Sequence, residues 1–274
     1  MTRKLTRIFK AIPTTDGAGV SLRRALGHSI LADLDPFLML DEMHSDAPKD
    51  YIAGFPPHPH RGFETVSYML HGSMEHEDSA GNKGEVTQGG VQWMTAGRGV
   101  IHSEMPKMKE GLLWGFQLWI NLPSKDKMQP AKYRSIESSE IFEKKLQGGV
   151  LRVIAGSFEG NEGPVKGIVT EPSFFDLRLS ALSSIDIPLP SGHSAFIYAY
   201  EGSLQVGADT LSEKEIGLLT DGGSVSISNA KGGFLILAGK PIKEEIARQG
   251  PFVMNTKEEI KQAFLDFRDG KLTG

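Results

Sequence analysis

Tyr68-Met-Leu-His-Gly-Ser-Met74 and Tyr198-Ala-Tyr-Glu-Gly-Ser-Leu204 are one phrase written twice, 130 residues apart. Further along, Trp93-Met-Thr-Ala-Gly97 is echoed by Leu218-Leu-Thr-Asp-Gly222 at a shift of 125. Two matches in the same order are the mark of a duplicated unit. A chain of 274 residues has room for two domains of the usual ~100–150 residues. The repeat therefore predicts two similar domains in tandem.

Working outward from the repeat, short apolar or alternating runs recur throughout. They are Phe63–Leu70, Val91–Thr95, Leu113–Ile120, Leu151–Ala155, Phe174–Leu179, Ala195–Tyr200 and Phe234–Ala238, rich in β-branched and aromatic residues. Turn residues separate them at Ser79–Gly84, Gly89–Gly90, Gly97–Gly99, Gly207–Asp209, Asp221–Gly223 and Lys231–Gly233. With 32 Gly and 15 Pro, such a chain turns often, and short strands at this spacing predict an all-β sandwich or barrel. A polar stretch over 123–133, bounded by Pro123 and Pro130, is the expected linker. The expected division is residues 1–122, the linker, residues 134–245, and a C-terminal extension over 246–274. That extension carries the one clear helix. Thr256 and Glu259 have capping-box spacing, Ile260, Ala263, Phe264 and Phe267 form an apolar stripe, and Gly270 stops it. The stripe is expected to lie across a barrel.

Composition removes several classes of function. No cysteine is present, so there is no disulfide framework, thiolate metal site or cysteine nucleophile. No run of ~18 apolar residues could span a membrane. The basic start MTRKLTRIFK is followed by no apolar region, so an edge strand is expected there rather than a secretory signal. Thirty basic against 34 acidic residues give a net charge of -4 and no electrostatic footprint for nucleic acid. Seven of the eight histidines precede residue 110, which directs the search for chemistry to the first half.

Gly54-Phe-Pro-Pro-His-Pro-His-Arg-Gly-Phe-Glu64 sets His58 and His60 two residues apart, on one face of a strand. Gly97-Arg-Gly-Val-Ile-His-Ser-Glu104 gives His102 and Glu104 the same spacing. Two such strands in one barrel would assemble three nitrogens and one oxygen around a metal ion. That donor set suits Fe, Mn, Co, Ni, Cu or Zn. Glu64 has the right parity too and competes with Glu104 for the fourth position. His71, His76 and His44 are expected to be solvated turn residues. The shifts of the repeat put Pro188 and Pro190 in place of His58 and His60, and Ile227 and Asn229 in place of His102 and Glu104. His193 aligns with Phe63 and should face away. One ion per chain is expected, in the first domain.

The two motifs resemble those of the cupin superfamily, and the match is closer than that. Asp35-Pro-Phe-Leu-Met-Leu-Asp-Glu42, the run from Pro56 to Val66, the run from Gly97 to Glu104, and Gly250-Pro-Phe-Val-Met-Asn255 look like the pirin family. The resemblance implies two jelly-roll-like cupin barrels, with one Fe(II) in the first held by His58, His60, His102 and Glu104. It decides the fourth ligand for Glu104 and leaves Glu64 to orient a ligand or to pack. A proline at position 57, where many members carry a polar or acidic residue, is a departure at the pocket rim. The implied activity is oxidative ring opening of a quercetin-like flavonol by O2, with Glu104 as the base that takes the substrate's proton. Phe55 and Trp93 are candidates for the pocket wall. The resemblance also allows a different class: an iron-dependent, redox-sensing regulator that acts through protein contacts without turnover. The expected partners are a small enolisable aromatic compound and O2, with no direct nucleic-acid or membrane partner. A monomer in the cytoplasm is the expected setting.

Overall fold

The computed structural model describes residues 1–274, and strand accounts for 58% of them against 8% helix. The chain forms two compact units, each discontinuous in sequence. One contains residues 13–24, 37–138 and 242–274; the other contains 1–12, 25–36 and 139–241. The expected boundaries ran continuously along the chain, and the structure departs from them at both termini and at residues 25–36, which belong to the second unit. Strand Leu5–Lys10 adds to the edge of Glu215–Leu219 in the second unit. The segment from residue 242 onward packs within the first. An unpaired strand edge takes whatever strand completes its ladder, whatever its position in the sequence. The expected linker is likewise no loose tether. Strand Lys132–Ile136 pairs with Val91–Thr95 at the edge of the first unit's large sheet.

Within each unit the main sheet has one strand order. In the first it reads Lys132–Ile136, Val91–Thr95, Phe63–His71, Leu113–Asn121, Phe37–Ser45, Val20–Leu26, Ile12–Asp16. In the second it reads Leu5–Lys10, Glu215–Leu219, Ser194–Val206, Ser224–Gly239, Ser173–Pro188, Gly149–Ala155, Phe142–Leu146. The registers repeat as well. Tyr68 faces Val91 and Val66 faces Trp93, while Tyr198 faces Ile216 and Phe196 faces Leu218. These pairs are related by the shifts of 130 and 125 read from the sequence.

A second sheet closes the first unit: Phe55–His60, Val100–Pro106, Met74–Asp78, Lys83–Val86. In the second unit three strands of 16, 13 and 16 residues continue without a break where the first unit has separate strands. They bend at register shifts instead. Shifts between Ala199 and Glu201 and between Ser203 and Gln205 flank the Gly202–Gly232 pair, whose φ angles of 69° and 130° suit glycine. The turn expected at Lys231–Gly233 is thus a bulge inside a strand.

Strand pairing also corrects the alignment expected for the counterparts of the first unit's histidines. His58 faces His102 and His60 faces Val100; in the second unit Ile185 faces Ile227 and Ile187 faces Val225. The counterparts of His58 and His60 are therefore Ile185 and Ile187, three residues before the expected Pro188 and Pro190. Ile187 and Ile227 are buried in the second unit's large core, with Ile185 packed against it. The first unit's interior, shared with polar groups, is divided into smaller apolar clusters such as that around Leu22, Met43, Met69 and Leu113.

The C-terminal helix, Lys257–Arg268, opens with the expected capping box: the Thr256 hydroxyl accepts from the Glu259 N–H and the Glu259 carboxylate from the Thr256 N–H. Ile260 and Ala263 are buried with Phe252, Met254 and Leu272. Phe264 and Phe267 lean edge-on against Phe252 and stay partly exposed. The helix is too short to cross a membrane.

Candidate metal centre

Pro56, Pro57 and Pro59 lie on Phe55–His60, at the edge of the four-stranded sheet, where missing N–H groups leave no gap in the ladder. His58 and His60 share one face of this strand, and Val100–Pro106 brings His102 beside them. The ring centroids of His58 lie 4.6 Å from His60 and 4.5 Å from His102, and His60 and His102 are 5.0 Å apart. His58 Nδ1 lies 2.8 Å from the Pro56 carbonyl and His60 Nδ1 3.4 Å from that of Pro251. Donation through Nδ1 leaves Nε2 as the lone-pair nitrogen in each ring. His102 is buried with neither ring nitrogen partnered, an expensive arrangement unless something binds there. Burial, reinforced by neighbouring imidazoles, holds His60 and His102 well below the ordinary histidine pKa, so both are neutral at pH 7 and able to offer a lone pair. The donor nitrogens of His58, His60 and His102 lie within 4.8 Å of one another. These residues fit a metal ion.

Glu104 joins this group through His102. His102, Glu104 and His76 form a second donor trio, also within 4.8 Å. Gln117 Nε2 donates to Glu104 Oε2 at 3.1 Å, and His76 Nδ1 approaches Oε1 to 3.2 Å. Ser67 Oγ lies 2.9 Å from Glu104 Oε1 and 2.7 Å from Gln117 Oε1; with one proton it donates to one of them at a time. The carboxylate is thus held in place from three sides.

His76 is the residue the sequence reading missed. Expected in a solvated turn, it lies on Met74–Asp78, 2% exposed, with neither ring nitrogen in a hydrogen bond and Nδ1 3.2 Å from the Glu104 carboxylate. Its acidic neighbours suggest solvent. The signal that could have found it is parity, because Met74, His76 and Asp78 alternate inward while Glu75 and Glu77 do not. His44 and His71 are exposed as expected, though both lie on strands and stack on Trp114. Glu64 is buried and accepts a hydrogen bond from Thr95, its cross-strand partner, and belongs to neither donor trio. His193 is buried in the second unit, its carbonyl accepting from Arg3.

Beside the histidines lies a cavity of about 650 Å³, within the range of small-molecule sites. Leu22, Met39, Met43, Phe55 and Trp119 supply apolar wall, and His58, His60, Glu104 and Gln117 line it too. Of the two aromatic candidates, Phe55 lines the cavity and Trp93 is buried elsewhere; Trp119 takes its place, with the Arg248 guanidinium 4.9 Å over its ring. A larger depression of about 860 Å³ in the second unit borders His193 and contains neither donor trio.

Two jelly-roll-like barrels in one chain, one with a histidine-lined interior, define a bicupin protein. Residues 19–120 match the pirin family and residues 174–273 match the pirin C-terminal cupin domain. The chain belongs to the pirin family. It is 48% identical to a Pseudomonas aeruginosa protein provisionally named quercetin 2,3-dioxygenase, covering 98% of each chain. It is 40% identical to human pirin, covering 98% of this chain and 93% of the other. A crystal structure titled quercetin 2,3-dioxygenase from Acinetobacter baumannii matches at a TM-score of 0.93 and 35% identity, over 99% of both chains.

Proposed function

We propose that the chain is a mononuclear iron-dependent dioxygenase of quercetin-like flavonols, with His58, His60, His102 and Glu104 as metal ligands. The observation that carries this reading is the imidazole trio beside a cavity with largely apolar walls. The names of the Pseudomonas and Acinetobacter relatives support the same substrate class. Three nitrogens and a carboxylate oxygen, without thiolate, suit Fe(II), and Mn, Co, Ni, Cu and Zn share that preference. The bound ion would supply open positions for the substrate oxygen and for O2.

The protein's own residues do the rest. Glu104 takes the proton of the substrate hydroxyl, and Gln117 and Ser67 hold its carboxylate in place. Trp119, Met39 and Phe55 exclude water from the aromatic substrate. His58 and His60 keep their orientation through backbone carbonyls. The reading includes a single chain as the working unit, because every proposed ligand comes from one chain, and a cytoplasmic setting.

The test is oxygen uptake by anaerobically iron-loaded protein mixed with quercetin, together with loss of the flavonol's near-visible absorbance. Both should be lost in His58→Ala and Glu104→Ala. Retained turnover in either variant would sink the site assignment. No turnover with any flavonol, together with a partner affinity that differs between Fe(II) and Fe(III), would favour the regulator.

A further inference from the structure

Asp41 has an unusual position for a carboxylate. It lies on Phe37–Ser45, is 2% exposed, and lines the same cavity as His58 and Glu104. Arg24 grips it in a fork, Nε to Oδ1 at 2.8 Å and Nη2 to Oδ2 at 2.7 Å. The same guanidinium also reaches Asp16 at 2.8 Å, so two carboxylates share one cation. A carboxylate offers about four lone-pair directions, and Arg24 occupies one on each oxygen. No other residue of the protein donates to Asp41, and acceptor capacity remains at the cavity wall.

Register fixes where this acceptor stands. Asp41 faces Gln117 on the adjacent strand, and Gln117 faces Ser67 on the next. Directly opposed residues present the same face, and neighbouring strands lie about 5 Å apart. Gln117 and Ser67 are the two groups that hold Glu104. Asp41 is therefore one strand beyond the group that contacts Glu104, across the cavity floor from the metal end. Met39 and Met43 flank it on the same strand, with Trp119 opposite Met39. A flat aromatic ligand with one oxygen at the metal end would extend toward Asp41.

We propose that Asp41, held by Arg24, is a specificity-determining acceptor that takes a hydrogen bond from a phenolic hydroxyl remote from the metal-bound oxygen. It favours substrates carrying a donor there, and it disfavours analogues that lack the hydroxyl or place a carboxylate against it. The proposal rests on the flavonol reading for its substrate class. A purely structural ion pair would have no preference between ligands. An acceptor left unpaired by the wrong ligand discriminates strongly.

The test measures the dissociation constants of quercetin and of 3-hydroxyflavone, which lacks the remote hydroxyls, on anaerobic iron-loaded protein. Wild type should bind quercetin tighter by about tenfold or more. In Asp41→Asn that ratio should fall to within about threefold of unity while 3-hydroxyflavone affinity is retained. Should Asp41→Asn fail to fold, pH supplies an arm on the wild type. Burial pushes the Asp41 carboxyl up to about 6, with Arg24 opposing, so the ratio should shrink as pH falls through that value. The charged groups facing it are Arg24 and Asp16 from the neighbouring strands and Arg248 from the C-terminal segment. His58 and Glu104 line the same cavity, so iron content is measured at each pH. Equal affinities in wild type, an unchanged ratio in the variant, or no binding of either compound would overturn the proposal. Oxygen uptake reports separately on the dioxygenase. Selective binding without turnover leaves the acceptor and removes the enzyme, and equal turnover of both compounds does the reverse.

Discussion

His102 belongs to both donor trios, and its ring has no partner within the protein. His102→Ala should therefore lower bound metal below about a tenth of an equivalent by elemental analysis. The melting temperature of the metal-free variant should hold or rise, because a buried unpaired imidazole is removed. His76 acts one step further out. His76→Phe should weaken metal binding by roughly 10–100-fold, read by competition with a chelator, as expected for a group that supports ligands rather than binding as one. Affinity equal to wild type would make His76 a packing residue only. The two histidines differ in how well the sequence reveals them. H-x-H and H-x-E state their own parity, and the two strands that carry them prove to be neighbours. His76 sits among three acids, and only the turn at Gly72–Ser73 sets which side of its strand faces inward. Asp41 was visible only as part of a family motif, since nothing local shows that Arg24 pairs with it.

At the scale of elements, two buried cations fasten the end of the His58–His60 strand to later parts of the chain. Arg61 follows the proposed ligand His60 directly; it donates to the Arg98 and Leu272 carbonyls and to Asp266 on the C-terminal helix. Lys127, in the expected linker, is 1% exposed and donates to the carbonyls of Gly62 and Val253 and to Asn121 Oδ1. Lys127→Met would leave the Gly62 and Val253 carbonyls without this donor, each worth about 1–3 kcal/mol when buried, while Asn121 Oδ1 keeps the Leu122 N–H at 3.0 Å. A fall in denaturant midpoint corresponding to about 2–4 kcal/mol is expected, with metal affinity reduced because the Gly62 turn adjoins the histidines. An unchanged midpoint would mean that water replaces the ammonium. The strands and the helix cap were legible because alternation and capping are local codes. The burial of Lys127 was not, because a lysine in a polar stretch reads as solvated until its distant acceptors are known.

The whole molecule holds one barrel with a polar interior and one in which the same strand positions carry isoleucine. Ile187 and Ile227 fill the second interior with apolar side chains, each contributing about 1.5–3 kcal/mol on burial, and the half-buried Ile185 packs against them. Elemental analysis after saturating metal and desalting should give one ion per chain, and two would overturn the assignment. The duplication was legible from two short matches, and the registers repeat it residue for residue. What the sequence hid was the crossed ownership of the ends, since no local pattern tells an edge strand which barrel it will complete.

That crossing sets a timetable for synthesis. Residues 5–10 are made well before their partner strand, Glu215–Leu219, which follows some two hundred residues later, about 10–40 s at ordinary elongation rates. Val253, which the Arg61 carbonyl and Lys127 both engage, is made later still. The histidines are thus all synthesised long before the brackets that steady them. A fragment ending at residue 122 should bind metal weakly and unfold readily when expressed alone, measured by chelator competition and thermal melts. On the proposed assignment, metal capture therefore waits for the segment around Val253 to be made.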